Sequence, residues 1–228
     1  PRAAPHLIDP SKLVKSARAV YGDATFEKLY GDLKPIPAER VRTMADDETL
    51  DWGERTLTFL HTRGHANHHF CIVDSATNGV FTGDALGLCY PMLQGNGRWV
   101  FPSTSPTDFD GPAAIESIER LVATGADRAY LTHFGAVTDV PGVGAELIAQ
   151  LERCTAFARQ ADEIGVSDEA LDEHFATEVK GWFADAAAER GLEGQAIDDL
   201  LALDVDLNAQ GLAFSVKKAR YKRSRANS

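Results

Sequence analysis

A histidine-rich turn between two strand-like segments places the strongest constraint on what this chain can fold into. Residues 60–69 read LHTRGHANHH and hold four of the seven histidines. Residues 55–60 alternate polar and apolar side chains, and residues 70–74 form a short apolar run, so both predict strands. Imidazole is the commonest metal-binding side chain, and Gly64 lets the backbone turn sharply just before His65. The turn is therefore a candidate metal-binding segment.

Two later segments also end an apolar run on a ligand-type residue beside glycine. Asp84 follows Thr82-Gly83, and His133 follows a strand predicted over residues 127–132. Alone, each of His65, Asp84 and His133 is better explained as a hydrogen-bonded structural residue or a cap. Together, at the ends of successive strands, they favour a metal site.

Size and composition limit the class of protein. A chain of 228 residues is long enough for one substantial domain, or for one domain with an appendage. The net charge of -11 argues against a nucleic-acid or membrane-surface partner. Six basic residues near the C-terminus are interpreted as a solvated helix end: Lys217, Lys218, Arg220, Lys222, Arg223 and Arg225.

The three cysteines show no paired metal-binding spacing, and their sparse, odd number fits a reducing compartment. The sequence contains no signal-peptide pattern and no apolar run approaching the roughly 20 residues of a membrane span. We therefore expect a cytoplasmic protein.

The pattern along the chain predicts an α/β part followed by a helical extension. Further strands are predicted over residues 41–44, 49–51 and 80–82, and a helix begins at Asp108 or Asp110. From about residue 143 the apolar residues follow helical spacing in three segments, 147–164, 171–186 and 197–220. We place the domain boundary between residues 142 and 143, and expect the helices to pack on each other and on the α/β part.

The combined motif resembles the C-terminal half of the metallo-β-lactamase fold. The resemblance is carried by Thr-x-Gly-His-x-x-x-His at residues 62–69, Thr-Gly-Asp at 82–84 and Thr-His-Phe-Gly at 132–135, and extends over roughly 41–135. It implies an α/β (α+β) protein built as an αββα sandwich, of which this chain would be mainly the C-terminal half. It also implies that His65 ligates a first metal, Asp84 bridges two metals and His133 ligates the second.

The sequence departs from the family pattern in two places. Arg63 stands where proline is usual, and the family's first motif, His-x-His-x-Asp-His, is absent. Since that motif supplies three or four ligands and would lie before Pro1, we expect this chain to be the second half of a larger protein. Three ligands are normal for one catalytic zinc, and too few for a tight pair of ions.

The other histidines are predicted to be structural. The resemblance gives His68 the role of a hydrogen-bonded second histidine of the turn, whereas His69 is predicted to point to the opposite face. His61 is interpreted as structural or as a support for a ligand. His6 and His174 have no partners in the sequence and are interpreted as surface residues.

The resemblance implies a metal-dependent hydrolase that uses a zinc-activated hydroxide on a small ester, thioester, lactone or lactam. Asp84 would be the catalytic residue, and the helical extension favours a glyoxalase II-like thioesterase. One or two zinc ions are expected, with iron or manganese open because these ligands serve all three metals. Two residues of the long loop 86–107, Tyr90 and Trp99, either line a substrate pocket or pack the loop itself.

Two other functions stay open. One is an iron-dependent oxidoreductase like a sulfur dioxygenase, and the other is a metal-free binding module without catalytic activity. We expect a small-molecule substrate, no nucleic-acid or membrane partner, and leave a homodimer open.

Overall fold

The computed structural model describes residues 1–104, 106, 108–133 and 135–226, and its centre is one six-stranded sheet. The strands lie side by side in chain order, and every neighbouring pair is antiparallel except β4 and β5, which are parallel. They are β1 (Thr49–Trp52), β2 (Arg55–His61), β3 (Phe70–Asp74), β4 (Gly79–Gly83), β5 (Arg128–Leu131) and β6 (Ala136–Thr138). The α/β class and a single αβ half of the sandwich are confirmed.

Alternation along the strands gives the sheet one covered and one open face. Val73, Val80, Ala129 and Val137 pair across four strands in one row, and this row belongs to the buried core. The next row on the other face is formed by Phe59, Ile72, Phe81 and Tyr130. The rings of Phe81 and Tyr130 stack 4.8 Å apart, yet Phe81 keeps 45% of its surface exposed. The open face is therefore apolar.

The parallel pair requires a long connection, because parallel strands cannot be joined by a hairpin. Residues 84–127 make this connection and contain the 3-10 turn η2 (Pro91–Leu93) and helix α4 (Gly111–Ala123). Asp110 caps α4 by accepting a hydrogen bond from the Ala113 amide, as the sequence predicted. Ile118 and Leu121 on this helix are buried in the same hydrophobic cluster as the covered face of the sheet.

The N-terminal segment is helical and irregular. It comprises α1 (Ala4–Ile8), α2 (Ser11–Tyr21), α3 (Asp23–Leu29) and the 3-10 turn η1 (Ala38–Arg40). The strand predicted over residues 41–44 is wrong. The chain before β1 leaves the sheet instead: Asp47 has φ +60°, and the His61 amide at the end of β2 donates to the side chain of Asp46 and not to a backbone carbonyl.

The last third forms three long helices, α5 (Val140–Glu163), α6 (Leu171–Ala188) and α7 (Gln195–Ala226). An aromatic cluster joins them to the long loop: Phe183 on α6 lies 5.0 Å from Phe101 and 6.0 Å from Trp99, measured between ring centroids. The apolar stripes are buried, and the core cluster runs without a break from the sheet into all three helices. The predicted packing is confirmed, whereas the boundary at residues 142 and 143 stays a prediction.

The basic end of the chain is more ordered than the sequence suggested. Helix α7 continues to Ala226, and Arg220 donates to Asp162 of α5 and to Asp168 in the connection to α6. Lys217 and Arg223 make further ion pairs with the same two helices. Lys217, Arg220 and Arg223 therefore tie α7 to α5, to α6 and to the connection between them.

No helix within the described residues is long and apolar enough to cross a membrane. All three cysteines are buried free thiols.

The aromatic cluster gives a test of the helical packing. Replacing Phe183 by alanine should lower the free energy of unfolding by about 3–5 kcal/mol, because it empties a buried ring site shared by Trp99 and Phe101. Phe81→Ala is the matched control and should cost much less, since that ring is half exposed. Urea unfolding measures both; equal losses would contradict the packing described here.

Candidate metal site

Three predicted site residues meet at one end of the sheet. Asp84 follows β4, His133 follows β5, and His65 lies in the turn between β2 and β3. The Nε2 atom of His65 lies 3.5 Å from Oδ2 of Asp84, and Nε2 of His133 lies 3.4 Å from Oδ1 of the same carboxylate. The two imidazoles therefore face different oxygens of one aspartate.

One oxygen of the Asp84 carboxylate lacks a hydrogen-bond donor among the described residues. Its Oδ1 atom is buried, and no donor within the described residues makes a hydrogen bond to it. A buried polar atom without a partner is costly, so such atoms commonly mark a missing ion or water. Two ligands of one tetrahedral zinc, each about 2.1 Å from the ion, lie roughly 3.4 Å apart. The spacing of the carboxylate oxygens from the two imidazoles fits shared metal ligation.

The donor set is nevertheless incomplete within this part of the chain. Each side of the Asp84 carboxylate has one imidazole, and no three His, Cys, Asp or Glu side chains among the described residues are arranged to hold one ion. A structural or catalytic zinc takes at least three protein ligands. Further ligands are therefore required for tight binding at either side.

The position of His65 depends on close contact between its turn and α4. Gly64 has φ +129°, and a Cβ there would lie 2.3 Å from the Cα of Ala114. The Gly64 carbonyl accepts from the Asp110 amide at 2.9 Å. On the other side, Nδ1 of His65 lies 3.0 Å from the Ser103 carbonyl oxygen. Because a carbonyl only accepts, Nδ1 carries a proton, and in the neutral ring Nε2 then presents its lone pair towards Asp84.

His69 contacts the candidate site, contrary to the prediction from the sequence. It was predicted to point away, but its Nε2 accepts a hydrogen bond from the Asp84 amide at 3.2 Å. His68, assigned the structural role, instead faces His6 with ring centroids 5.4 Å apart. Strand β3 begins only at Phe70, so the turn before it does not follow strand alternation, and the signal for His69 was instead the motif Thr-x-Gly-His-x-x-x-His, which ends on this residue.

A buried hydrogen-bond chain fixes the tautomer of His69. Since Nε2 accepts from Asp84, Nδ1 must donate, and it lies 2.8 Å from the Thr62 hydroxyl oxygen. That hydroxyl lies 3.1 Å from the Cys71 Sγ, which donates to the carbonyl of Thr82. Burial, with a smaller effect of nearby His65, lowers the pKa of His69 to about 4. A neutral His69 thus holds the backbone at Asp84.

His133 sits on the open side of the site, with 49% of its side chain exposed. Its carbonyl accepts from the Cys89 amide at 3.3 Å, which brings the start of the long loop to the site. The adjacent Tyr90 donates its hydroxyl to Asp204 on α7 at 3.0 Å. Burial raises the pKa of Asp204 to about 6, although the Tyr90 hydrogen bond and the charge of His133 oppose this shift.

The remaining predicted residues divide between the site and the core. Trp99 is buried against Phe101 and packs the loop; it does not line a pocket at the metal edge. His61, predicted to be structural or to support a ligand, has its Nε2 3.1 Å from the Met44 carbonyl oxygen, which favours the structural role. His6, predicted to lie at the surface, lines a cavity of about 410 Å³ that also reaches His65 and Asp84. This cavity is the approach to the candidate site from the N-terminal helices.

Comparison with known families agrees with this geometry. The family model described as the metallo-beta-lactamase superfamily matches residues 3–133, which is more than half of the chain. The chain belongs to the metallo-beta-lactamase superfamily. The match includes His65, Asp84 and His133 at the candidate site.

Individual relatives share the fold over most of this chain. The curated protein named metallo-beta-lactamase fold-containing protein ST1585, from Sulfurisphaera tokodaii, is 28% identical over 171 residues, covering 75% of this chain and 60% of that protein. The crystal structure of the archaeal superfamily protein ST1585 from Sulfolobus tokodaii has a TM-score of 0.59 at 22% identity, over 92% of this chain and 66% of that one.

A third similarity is weaker. The metallo-beta-lactamase family protein TTHA1429 from Thermus thermophilus has a TM-score of 0.47 at 19% identity, and the similarity covers 97% of this chain and 63% of that protein's chain. This chain therefore spans less than two thirds of the length of each of these relatives.

The buried state of His69 predicts a pH-dependent stability. Its folded pKa of about 4 lies below its ordinary value of 6.5, so protonation favours the unfolded chain as the pH falls from 6.5 to 4. Between pH 7 and pH 4.5 this one group should remove about 2.5 kcal/mol from the unfolding free energy. In metal-free protein, His69→Gln should lose that part of the pH dependence, whereas the control His174→Gln should keep it. Parallel curves of unfolding free energy against pH for wild type and His69→Gln would show that His69 is not the group responsible.

The raised pKa of Asp204 predicts the opposite pH dependence of stability, with stability lost as the pH rises. Because the pKa of Asp204 is raised in the folded state, the free energy of unfolding falls as the pH rises from about 4 to 6 and the carboxyl ionises. Asp204→Asn keeps an oxygen that accepts from Tyr90, so it should stabilise the protein at pH 7.5 by about 2–3 kcal/mol and have little effect at pH 4. The exposed Asp206→Asn on the same helix is the control. Chemical unfolding at the two pH values decides, and a gain independent of pH would be inconsistent with ionisation of Asp204.

Proposed function

We propose that this chain contributes His65, Asp84 and His133 to the metal centre of a metal-dependent hydrolase. The observation that carries this proposal is the buried, unpartnered Oδ1 of Asp84 beside one imidazole, with the second imidazole beside Oδ2. A neutral imidazole lone pair and a carboxylate are the ligands that zinc takes in catalytic sites. Superfamily membership supports the same class of chemistry.

Each residue has a distinct part in the proposed centre. Asp84 presents its two oxygens in two directions, so it suits a bridging role between two metal positions. His65 has its proton fixed on Nδ1 and offers Nε2, while His69 holds the Asp84 amide and does not itself offer a free nitrogen. A zinc ion, when bound, supplies a Lewis acid and a nucleophilic hydroxide near neutral pH.

The proposed substrates are small esters, thioesters, lactones or lactams, each with a carbonyl that the centre would activate. A cavity of about 410 Å³ leads to His65 and Asp84 and falls within the size range of small-molecule sites. Lys12 lines this cavity and suits a substrate that carries a negative charge. A glyoxalase II-like thioesterase is the specific activity we propose to assay first.

Zinc is the proposed metal, and the donor types also accept iron or manganese. Elemental analysis of the purified protein separates the proposals. Zinc with hydrolysis of a thioester or lactone supports the hydrolase. Iron, together with oxygen consumption on a persulfide substrate, would favour the iron-dependent oxidoreductase instead. Purified protein that binds none of these metals would favour the metal-free binding module.

Replacing Asp84 by alanine tests the bridging role. We expect Asp84→Ala to lose most bound metal and nearly all hydrolysis, because both metal positions lose a ligand. The metal-free variant should be at least as stable as metal-free wild type, since it removes a buried oxygen without a partner.

The matched control is Asp74→Ala at the opposite end of β3. Asp74 is also buried, but Arg55 and Thr77 donate hydrogen bonds to it. This variant should lose stability and keep its metal content per folded molecule. Elemental analysis with circular dichroism measures both variants, and unchanged metal in Asp84→Ala would rule out the bridging role.

A further inference from the structure

The carbonyl that orients His65 belongs to a segment held by the C-terminal helix. Ser103 provides this carbonyl, and the next residue, Thr104, is fully buried against α7. The Thr104 amide donates to Oδ1 of Asn208 at 3.0 Å, and its hydroxyl donates to the Asn208 carbonyl oxygen at 2.9 Å. The hydroxyl also lies 3.0 Å from Oδ1 of Asn208, so the amide and the hydroxyl of Thr104 both bond to one residue of α7 and fix the backbone directly beside the Ser103 carbonyl.

Asn208 is itself fixed in place. It is 2% exposed, and its amide nitrogen donates to the Asp204 carbonyl one helical turn earlier at 2.8 Å. This bond directs Oδ1 of Asn208 towards Thr104. A buried amide with its donor and acceptor both used has little freedom to change its orientation.

Gly211 gives Thr104 its close approach to the helix. A Cβ at position 211 would lie 2.6 Å from the Thr104 carbonyl oxygen and 2.8 Å from its carbonyl carbon. Both atoms belong to the backbone and cannot rotate away. The absent side chain of Gly211 is therefore a requirement of the contact, and any larger residue would displace the segment that carries Ser103.

We propose that Asn208 and Gly211 are positioning residues for the metal ligand His65. They set the depth and direction of the Ser103 carbonyl, which keeps the proton of His65 on Nδ1 and directs the Nε2 lone pair at the site. Helix α7 is thus part of the metal site, although none of its side chains touches His65, Asp84 or His133 within hydrogen-bond distance. This inference rests on the proposed metal-binding role of His65.

A merely structural role for the contact makes a different prediction. If Asn208 and Gly211 only anchored α7, their variants would change stability and leave the ligand unaffected. Gly211→Ala separates the two roles well, because alanine favours a helix over glycine. Gly181→Ala on α6 is the matched control, since a Cβ at that position meets nothing within 4 Å.

The first measurement is the tautomer of His65 in metal-free protein at pH 8, from long-range proton–nitrogen NMR correlations of the imidazole. Wild type should show the Nδ1-protonated form. We expect Gly211→Ala and Asn208→Ala to populate the Nε2-protonated form. Gly181→Ala and Val216→Ala, a buried apolar change elsewhere on α7, should keep the wild-type pattern.

The second measurement is zinc affinity by competition with a chelator. Removing the support of a metal ligand typically weakens metal binding by about 10- to 100-fold, and we expect the lower end because Asn208 and Gly211 act through Thr104 and Ser103. Thr104→Val removes one hydroxyl with little change in shape, and should show a smaller loss in the same direction. It keeps the test valid if a helix variant does not fold.

An unchanged His65 tautomer in folded Gly211→Ala and Thr104→Val would overturn the inference, as would equal zinc affinity in the test and control variants. Failure of the proposed function is distinguishable from both results. It would appear as unchanged zinc affinity in His65→Ala, whereas the tautomer measurement requires no metal.

Discussion

The parallel pairing of β4 with β5 is the constraint on which the candidate site depends. Gly83 pairs with Leu131, so the two strands end at the same edge and deliver Asp84 and His133 side by side. A parallel pair also demands a long crossover, and here the crossover returns along the edge of the site. It supplies the Ser103 carbonyl for His65. One choice of strand direction thus places two of the proposed ligands and the support of the third.

Much of this arrangement follows from local sequence. Apolar alternation predicted the central strands, the Asp110 cap predicted α4, and three ligand-type residues at strand ends predicted where His65, Asp84 and His133 would meet. These signals are readable because strand parity, helix capping and ligand chemistry each act within a few residues. The roles expected of the individual residues came from the resemblance to a known fold.

The supporting residues were not predictable in the same way. His69 lies in an irregular turn, where no period tells which side chain faces the site; the spacing of Thr-x-Gly-His-x-x-x-His ends on His69, and the assignment of its role to His68 was wrong. Asp204 and Asn208 look like ordinary polar residues of a helix surface, and only the tertiary fold buries them against the loop. Residues 41–44 failed as a strand for a related reason, because the Asp46 side chain takes the His61 amide that a paired strand would use, and only the tertiary fold brings these two residues together.

The bond between Thr104 and Asn208 spans 104 residues, and this separation has a consequence for how the protein is made. A chain emerging from the ribosome can complete the sheet while α7 has still to be synthesised. At roughly 5–20 residues per second, Thr104 waits about 5–20 s for its partner. During that interval the Ser103 carbonyl lacks the anchor that α7 provides, so the final orientation of the His65 imidazole requires α7 to have been synthesised.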